Sequence, residues 1–289
     1  MVSASVVFIF SDSLAKYAAQ FWPVGQILTI RGLFSVLIGV AVVIVYRMWH
    51  RIGALREPIV IGRSLVEGFT TITFISALPM MPIADLTSIL MLSPLVITAL
   101  AIVVYGEVVG WRRWSAIVAG FAGMLLIVQP SGGATAAAPQ YFLGAALGLC
   151  AVFGVAVRDI ITRKLNADIP SVVVTVGTSL GAGGAGLVLS MFQPWAGFAW
   201  VPFLCCVVAA AIVTAGNFLV VLACREADLS LVAPYRFSAV IWAIMLGALV
   251  FGEYPGWLSL VGMAIIVASG VYTLHRERVR RREAQRDKT

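Results

Sequence analysis

The chain has 289 residues, of which 61% are hydrophobic and only 11% are charged. Soluble domains are about 45–50% apolar and about 25% charged, so this composition excludes a cytosolic enzyme, a disulfide-stabilised secreted domain and a disordered chain. The net charge of +7 does not indicate a nucleic-acid-binding protein, because seven of the twenty Lys and Arg residues lie in the last fifteen positions.

Ten segments are predicted to be membrane-spanning helices, each of which needs about 20 mostly apolar residues. The sequence thus indicates an all-α polytopic membrane protein. The N-terminus lacks a basic region and a cleavage site of the kind found in signal peptides, so the first span is expected to be retained. The predicted spans are 3–21, 25–46, 58–78, 82–105, 112–129, 141–161, 171–192, 201–223, 229–251 and 256–274.

The charge of alternate loops predicts the orientation of the chain. Lys and Arg residues follow every second span, whereas loops 79–82, 129–140, 193–200 and 252–256 contain neither. Basic loops face the cytoplasm, so we expect a protein of the bacterial inner membrane with both termini cytoplasmic. The basic loop residues are Arg47, Arg51, Arg56, Arg112, Arg113, Arg163, Lys164 and Arg225.

An internal repeat is visible in the hexapeptide G-E-x-x-G-W, which occurs at 106–111 and again at 252–257. Each half of the chain has five predicted spans, an odd number, so the halves enter the membrane from opposite sides. Inverted repeats of this kind are typical of alternating-access transporters. The predicted organisation is a five-helix repeat at 1–130, a periplasmic linker at 131–140, a second five-helix repeat at 141–274 and a basic cytoplasmic tail at 275–289.

Several short motifs along the chain point to a known family. They are Ser11-Asp12-Ser13-Leu14-Ala15-Lys16, Arg31, Pro94 leading to Gly106-Glu107, Arg158-Asp159 leading to Arg163-Lys164, and Ala233-Pro234-Tyr235-Arg236 leading to Gly252-Glu253. With these motifs the whole chain resembles the drug/metabolite transporter superfamily, specifically its EamA-type members with two five-helix repeats. The stretch before Gly252, with Asp12 and Lys16, is similar to carriers of S-adenosylmethionine or riboflavin.

Charged residues inside spans are costly and mark either a transport pathway or a structural pair. Asp12 and Lys16 are four residues apart on one helical face and able to pair, and Arg63 and Glu67 have the same spacing. For both pairs a structural bridge and a functional role stay open. Arg158 and Asp159 lie near the cytoplasmic end, where a loop-side position is expected.

Two arginines inside predicted spans lack a carboxylate within a helical turn and are therefore the better ligand candidates. Arg31 lies in the second span and Arg236 in the ninth. The surplus of guanidinium groups favours a solute with a carboxylate or phosphate, because arginine binds two oxygens at once. An amino acid or other zwitterion fits as well, with its amine near Asp12 or Glu67. Asn217 and Tyr235 are candidates for lining the site.

Backbone features of the spans have both functional and plain structural explanations. Pro94 and Pro234 lie inside spans and predict kinks, which serve either as gating points or as static bends. The segment 181–186 matches G-x-G-x-x-G, but without a preceding strand it does not indicate dinucleotide binding. Gly177 and Gly181 instead predict close helix contact. Glu107 and Glu253, in the repeated hexapeptide, are expected to be turn and cap residues that tie helices together.

The sequence thus predicts a secondary transporter that moves a small amphipathic, zwitterionic or anionic metabolite by alternating access. The alternative is an uptake carrier for a larger cofactor-like solute such as S-adenosylmethionine or riboflavin. An integral-membrane enzyme is less favoured, since no cluster of Asp, His or Cys is present in the sequence. A passive channel is less favoured, since an inverted repeat with charges inside the spans suits two gates better than one open pore. The expected partners are the small-molecule substrate and membrane lipid. Coupling to a proton or an exchanged solute and formation of a homodimer stay open, and no cofactor, metal or nucleic acid is expected.

Overall fold

A computed structural model describes residues 2–105, 111–128, 139–165, 169–226 and 237–286, and within these ranges the regular structure is helical. A 3-10 helix at Trp49–Arg56 follows the second α-helix. The α-helices are α1 (Val2–Ala18), α2 (Val24–Val45), α3 (Pro58–Ala77), α4 (Ile83–Leu90), α5 (Ser93–Tyr105), α6 (Trp111–Val128), α7 (Pro139–Arg163), α8 (Ser171–Ser190), α9 (Trp200–Glu226), α10 (Ser238–Phe251) and α11 (Trp257–Arg286).

The protein is a multi-pass membrane protein. Seven helical segments in the described part of the chain are long and apolar enough to cross a bilayer, and two further apolar helices, Trp114–Val128 and Ser238–Phe251, are shorter. Large apolar side chains such as Leu37, Leu125 and Leu249 are exposed on the outside of the bundle. Such surfaces are stable only against lipid. The seven segments are Val24–Val45, Pro58–Ala77, Ile83–Leu100, Pro139–Thr162, Ser171–Ser190, Trp200–Phe218 and Trp257–His275.

The structure departs from the predicted spans in two places. The predicted fourth span is interrupted between α4 and α5 at residues 91–92, directly before Pro94, which lacks the N–H that would continue the helical hydrogen bonds. The interruption lies at the proline for which the sequence predicts a kink. The loop after α2 contains the 3-10 helix, which apolar periodicity did not indicate. Most of the predicted linker 131–140 and the second predicted kink, Pro234, lie outside the described residues.

The helices pack as two halves related by an approximate two-fold axis. Helix α2 packs along α8, and α6 packs along α11. The contact of α1 with α9 is repeated by the contact of α7 with α3. Helices α1, α2 and α3 correspond to α7, α8 and α9, the broken span α4–α5 corresponds to α10, and α6 corresponds to α11. When the halves are exchanged under this correspondence, these same pairs of helices are in contact. An axis of this kind inverts one half relative to the other when each half has an odd number of spans.

Glycine residues of α8 allow close helix packing, as the sequence predicted. An added Cβ on Gly32 of α2 would collide with the backbone of Gly183, and one on Gly181 would collide with the backbone of Ser64 in α3. The G-x-G-x-x-G match therefore forms a contact between helices. Helix α4 lies at the centre of the bundle, where Ile83, Leu86 and Ile89 are fully buried.

Candidate functional site

Two groups of ionisable side chains lie inside the bundle, and each draws residues from both halves of the chain. The end of the bundle that carries the exposed residues Arg47, Arg51 and Arg56 is called the basic end, and the opposite end, with loops 79–82, 193–199 and 252–256, is called the distal end. The central cluster consists of Asp12, Arg31, Arg63, Glu67, Arg158 and Asp159. The distal cluster consists of Lys16, Asp85, Tyr141 and Glu253.

Arg31 has the least satisfied side chain of the central cluster. The residue is only 8% exposed, and its Nη1 has no hydrogen-bond partner among the described residues. Its Nη2 lies 3.9 Å from Oδ1 of Asp12 on α1, which is an ion pair too long for a hydrogen bond. The sequence identified Arg31 as a residue without a local carboxylate, and the structure places a carboxylate near it from a different helix.

Glu67 is paired with Arg158 of α7, and not with Arg63, for which the sequence left a structural bridge open. The Nη1 group of Arg158 lies 3.2 Å from Oε2 of Glu67, and its Nη2 lies 2.9 Å from Oδ1 of Asp159. Helix α7 approaches α3 closely at Gly154, where an added Cβ would collide with Thr70. This approach brings the arginine of α7 into the bundle, which also corrects its predicted loop-side position.

Arg63 is satisfied by neutral partners. Its Nε donates to Oγ1 of Thr162 at 2.9 Å, and its Nη1 donates to Oγ1 of Thr178 at 2.5 Å. The residue thus links α3 to α7 and α8. These contacts favour a structural role for Arg63 over a role in binding a solute.

Lys16 is paired with Glu253 in the distal cluster, and not with Asp12, for which the sequence left a structural bridge open. The ammonium group donates to Oε1 of Glu253 at 2.5 Å and to the carbonyl oxygen of Met81 at 2.8 Å. The other oxygen of Glu253 accepts from the backbone N–H of Ile83, the first residue of α4, at 3.1 Å. Glu253 therefore caps α4 and ties helices together, as predicted for this motif residue.

The second copy of the repeated hexapeptide begins with Gly252, whose backbone conformation favours glycine. It ends α10 in the left-handed conformation, with φ of 65°, which residues with a Cβ rarely adopt. The turn directs the next residue, Glu253, toward Lys16 and α4. The first copy, at 106–110 before Trp111, lies outside the described residues.

Asp85 and Tyr141 complete the distal cluster, and the sequence analysis missed both. Asp85 lies in the first turn of α4 and is 3% exposed. The hydroxyl group of Tyr141 lies 2.8 Å from Oδ2 of Asp85 and 3.0 Å from the carbonyl oxygen of Ile127. Asp85 falls inside the predicted span 82–105, so the rule that charges within spans are functional candidates was sufficient to find it.

The charges inside the bundle do not show the predicted surplus of cations. Within the described part of the chain the two clusters contain four basic residues, Lys16 and three arginines, against five carboxylates. Of the other predicted site residues, Asn217 is half-buried next to Gly216, which lies against Val7 and Phe8 of α1. Val7 and Phe8 precede Asp12 by four to five residues on α1, so Asn217 lies more than one helical turn closer to the basic end than Asp12 does. Tyr235 and Arg236 lie outside the described residues.

Comparison with known proteins identifies the family. The model of the EamA-like transporter family matches residues 1–129 and 142–274. A riboflavin transporter of Rhizobium johnstonii is 28% identical over 92% of this chain and 83% of its own length. An S-adenosylmethionine uptake transporter of Rickettsia bellii is 23% identical over 93% of this chain and 89% of its own length.

A further riboflavin transporter, from Vibrio cholerae, is 28% identical over 93% of this chain and 89% of its own length. A solved crystal structure that is 19% identical matches the fold with a TM-score of 0.68, over 96% of this chain and 97% of its own length. The chain belongs to the EamA-like transporter family.

Proposed function

We propose that this member of the EamA-like transporter family is a secondary carrier for a small solute that bears both a carboxylate and an amine. The observation that carries the proposal is the pair formed by Arg31 and Asp12. Arg31 has a buried Nη1 without a partner, and the 3.9 Å distance leaves its charge only partly compensated by Asp12. A guanidinium group binds a carboxylate through two oxygens, and the nearby Asp12 offers an acceptor for an ammonium group.

The rest of the central cluster supports this choice. Arg158 is paired with Glu67 and Asp159, and Arg63 donates to two threonines. Among the described arginines of the cluster, Arg31 is the one with a buried nitrogen that has no hydrogen-bond partner, and Asp12 lies beside it. A balanced pair favours a zwitterion over the anion that the sequence also allowed. S-adenosylmethionine, which is named for one relative, carries an amino-acid group of this kind.

The arrangement of the halves supports transport by alternating access. The contacts between helices are repeated when the halves are exchanged, and such inverted repeats are typical of carriers that alternate between two related conformations. The exposed arginines at the basic end support the proposal that this end and both termini face the cytoplasm of a bacterial inner membrane. Reporter fusions after Arg56 and at residues 132–138 test this orientation, because they must lie on opposite sides.

The decisive experiment is a binding screen with purified protein. Amino acids, S-adenosylmethionine, nucleosides and riboflavin are tested for thermal stabilisation, since a ligand at 100 times its dissociation constant stabilises the folded state by about 2.7 kcal/mol. The solute found is then loaded outside proteoliposomes, and its entry is measured. We expect Arg31→Gln and Asp12→Asn each to weaken binding about tenfold or more.

Arg63→Gln is the matched control, because it removes a buried arginine from the same cluster. It loses two hydrogen bonds to threonine, so the melting temperature should fall while the dissociation constant stays the same. Analogues of the solute without its amine or with an esterified carboxylate should lose affinity. Normal binding by Arg31→Gln contradicts the proposed site.

The second candidate is a carrier for a flat, uncharged cofactor. Two relatives that are 28% identical to this chain are named riboflavin transporters, and this supports the alternative. Stabilisation by riboflavin but by no zwitterion in the same screen would favour it. In that case the dissociation constant should be insensitive to Asp12→Asn.

A further inference from the structure

The contacts of Asp85 and Tyr141 have a donor for each acceptor only if the carboxyl group of Asp85 carries a proton. The hydroxyl of Tyr141 is within hydrogen-bond distance of two atoms, Oδ2 of Asp85 and the carbonyl oxygen of Ile127. Both are acceptors when Asp85 is ionised, whereas a tyrosine has a single proton to donate. If Asp85 is a neutral acid, its hydroxyl donates to Tyr141, and Tyr141 donates to Ile127. The hydroxyl of Tyr141 then accepts one hydrogen bond and donates one.

The surroundings of Asp85 also disfavour an ionised carboxylate. The residue is 3% exposed, and its Oδ1 has no hydrogen-bond partner among the described residues. The nearest cation, Lys16, is bound to Glu253 and to the carbonyl oxygen of Met81. A buried charge without a partner costs several kcal/mol, and a group in that position loses its charge instead.

Several elements place polar groups around this carboxyl. Helix α1 contributes Lys16, the loop after α10 contributes Glu253, and α7 contributes Tyr141. Helix α11 contributes Ser259, which lies near the carboxyl group, and α6 contributes the carbonyl oxygen of Ile127. Helix α10 has no ionisable residue. With one cation and two carboxylates, the distal cluster is neutral only when one carboxylate is protonated.

The distal cluster also closes this end of the bundle. Lys16 and Glu253, on α1 and the loop after α10, meet the first turn of α4 through Met81 and Ile83. We propose that Asp85 is a proton-binding site, and that binding of a proton from the aqueous phase at the distal end permits this end to close. The inference rests on the proposed alternating-access function.

A proton fits this site better than a metal ion. Among the described residues no group of three or more His, Cys, Asp or Glu side chains is placed to hold a metal ion. A sodium or divalent ion needs several oxygen ligands, whereas a proton needs one lone pair. The site therefore predicts that closure depends on pH and is insensitive to sodium.

The test measures the separation of the two sides of the distal end. Spin labels are attached at Gln140→Cys and Tyr254→Cys, both exposed at that end, in a full-length variant whose native cysteines are replaced. Distances are recorded in lipid nanodiscs over a range of pH, with sodium and with potassium. We expect the ratio of closed to open molecules to rise as pH falls, by up to about tenfold per pH unit for one linked proton.

Two variants separate Asp85 from other titrating groups. Asp85→Asn mimics the neutral acid, because its amide donates to Tyr141, and should stay closed at every pH. Asp159→Asn changes another partly buried carboxylate near the basic end and should keep the pH dependence at the distal end. Full pH dependence in Asp85→Asn, or dependence on sodium in place of pH, overturns the proposal.

Infrared spectroscopy supplies a direct measurement that does not need the labels. Under conditions in which the distal end is closed, the wild type should show the carbonyl band of a protonated carboxylic acid, and Asp85→Asn should lose that band. If Asp85→Asn does not fold, Tyr141→Phe serves instead: it removes the acceptor of the acid's hydrogen bond, so the band should shift. Absence of the band in the closed wild type overturns the proposal. Failure to transport any solute contradicts the proposed function without affecting these distances.

Discussion

The ammonium group of Lys16 lies 2.5 Å from Oε1 of Glu253, and this contact joins residues that are 237 positions apart in the chain. It connects the first helix of one half to the turn that precedes the last helix of the other. The ammonium also lies 5.2 Å from the centre of the Phe251 ring. The same carboxylate caps α4, so a single residue of the repeated hexapeptide fixes three elements at the distal end.

Lys16→Met should destabilise the protein by about 1–3 kcal/mol, because it leaves Glu253 partly buried without its cation. The value is below that of a fully buried pair, since the Glu253 side chain is 24% exposed. Adding Glu253→Gln should restore part of the loss, as the amide oxygen still caps α4. Chemical denaturation in detergent measures both. A double variant less stable than Lys16→Met would contradict the pairing.

A double-mutant cycle should find strong coupling between Glu67 and Arg158. Arg158→Gln leaves Glu67 and Asp159 without their cation and should cost about 2–4 kcal/mol, whereas Glu67→Gln leaves Arg158 paired with Asp159 alone and should cost less. The double change should cost less than the sum of the two. The cycle of Glu67 with Arg63 is the matched control and should show weak coupling, because Arg63 is bound to threonines. Stronger coupling in the control would favour the pair predicted from helical spacing.

These two pairs show what the sequence predicts about the site and what it does not. Spacing of four residues correctly places Asp12 with Lys16 and Arg63 with Glu67 on common helical faces. It says nothing about which helix approaches that face. In the structure other elements supply the partners of all four residues, namely Arg31 for Asp12, Glu253 for Lys16, Arg158 for Glu67 and the threonines for Arg63.

The fold is easier to predict from the sequence than the candidate site is. Helix positions follow from runs of apolar residues, and the break before Pro94 follows from a missing N–H. The family is indicated by motifs that recur in both halves. Asp85 was missed because an acid in the first turn of a helix is usually a helix-terminal residue exposed to water. Only the packing of α4 at the centre of the bundle shows that this acid is buried.

Arg47→Gly should stabilise the end of α2. Arg47 has a φ of 53°, and the N–H groups of Arg47 and Met48 donate to the carbonyl oxygens of Ile44 and Val43, which is the Schellman arrangement. Glycine adopts this conformation without the cost of about 1 kcal/mol that other residues incur. Arg47→Ala removes the same charge and keeps the strain, so it should give no gain in melting temperature. Equal stability of the two variants would show that the conformation is not strained.

Gly32→Ala should weaken both the packing of the halves and the binding of the solute. The added methyl group would collide with the backbone of Gly183, so α2 and α8 must separate, at a cost of about 1–3 kcal/mol. Arg31 precedes Gly32, and its guanidinium group would move relative to Asp12 as α2 shifts. We therefore expect a lower melting temperature together with a higher dissociation constant.

Gly184→Ala is the matched control for this change, because it adds the same methyl group one residue beyond Gly183. Nothing lies within 4 Å of the position that its Cβ would occupy. Alanine also favours the helix over glycine by up to about 1 kcal/mol, so the melting temperature should stay the same or rise. Thermal unfolding and solute titration of both variants in one detergent measure the difference. Equal effects of the two substitutions would mean that the close contact of α2 with α8 does not position Arg31.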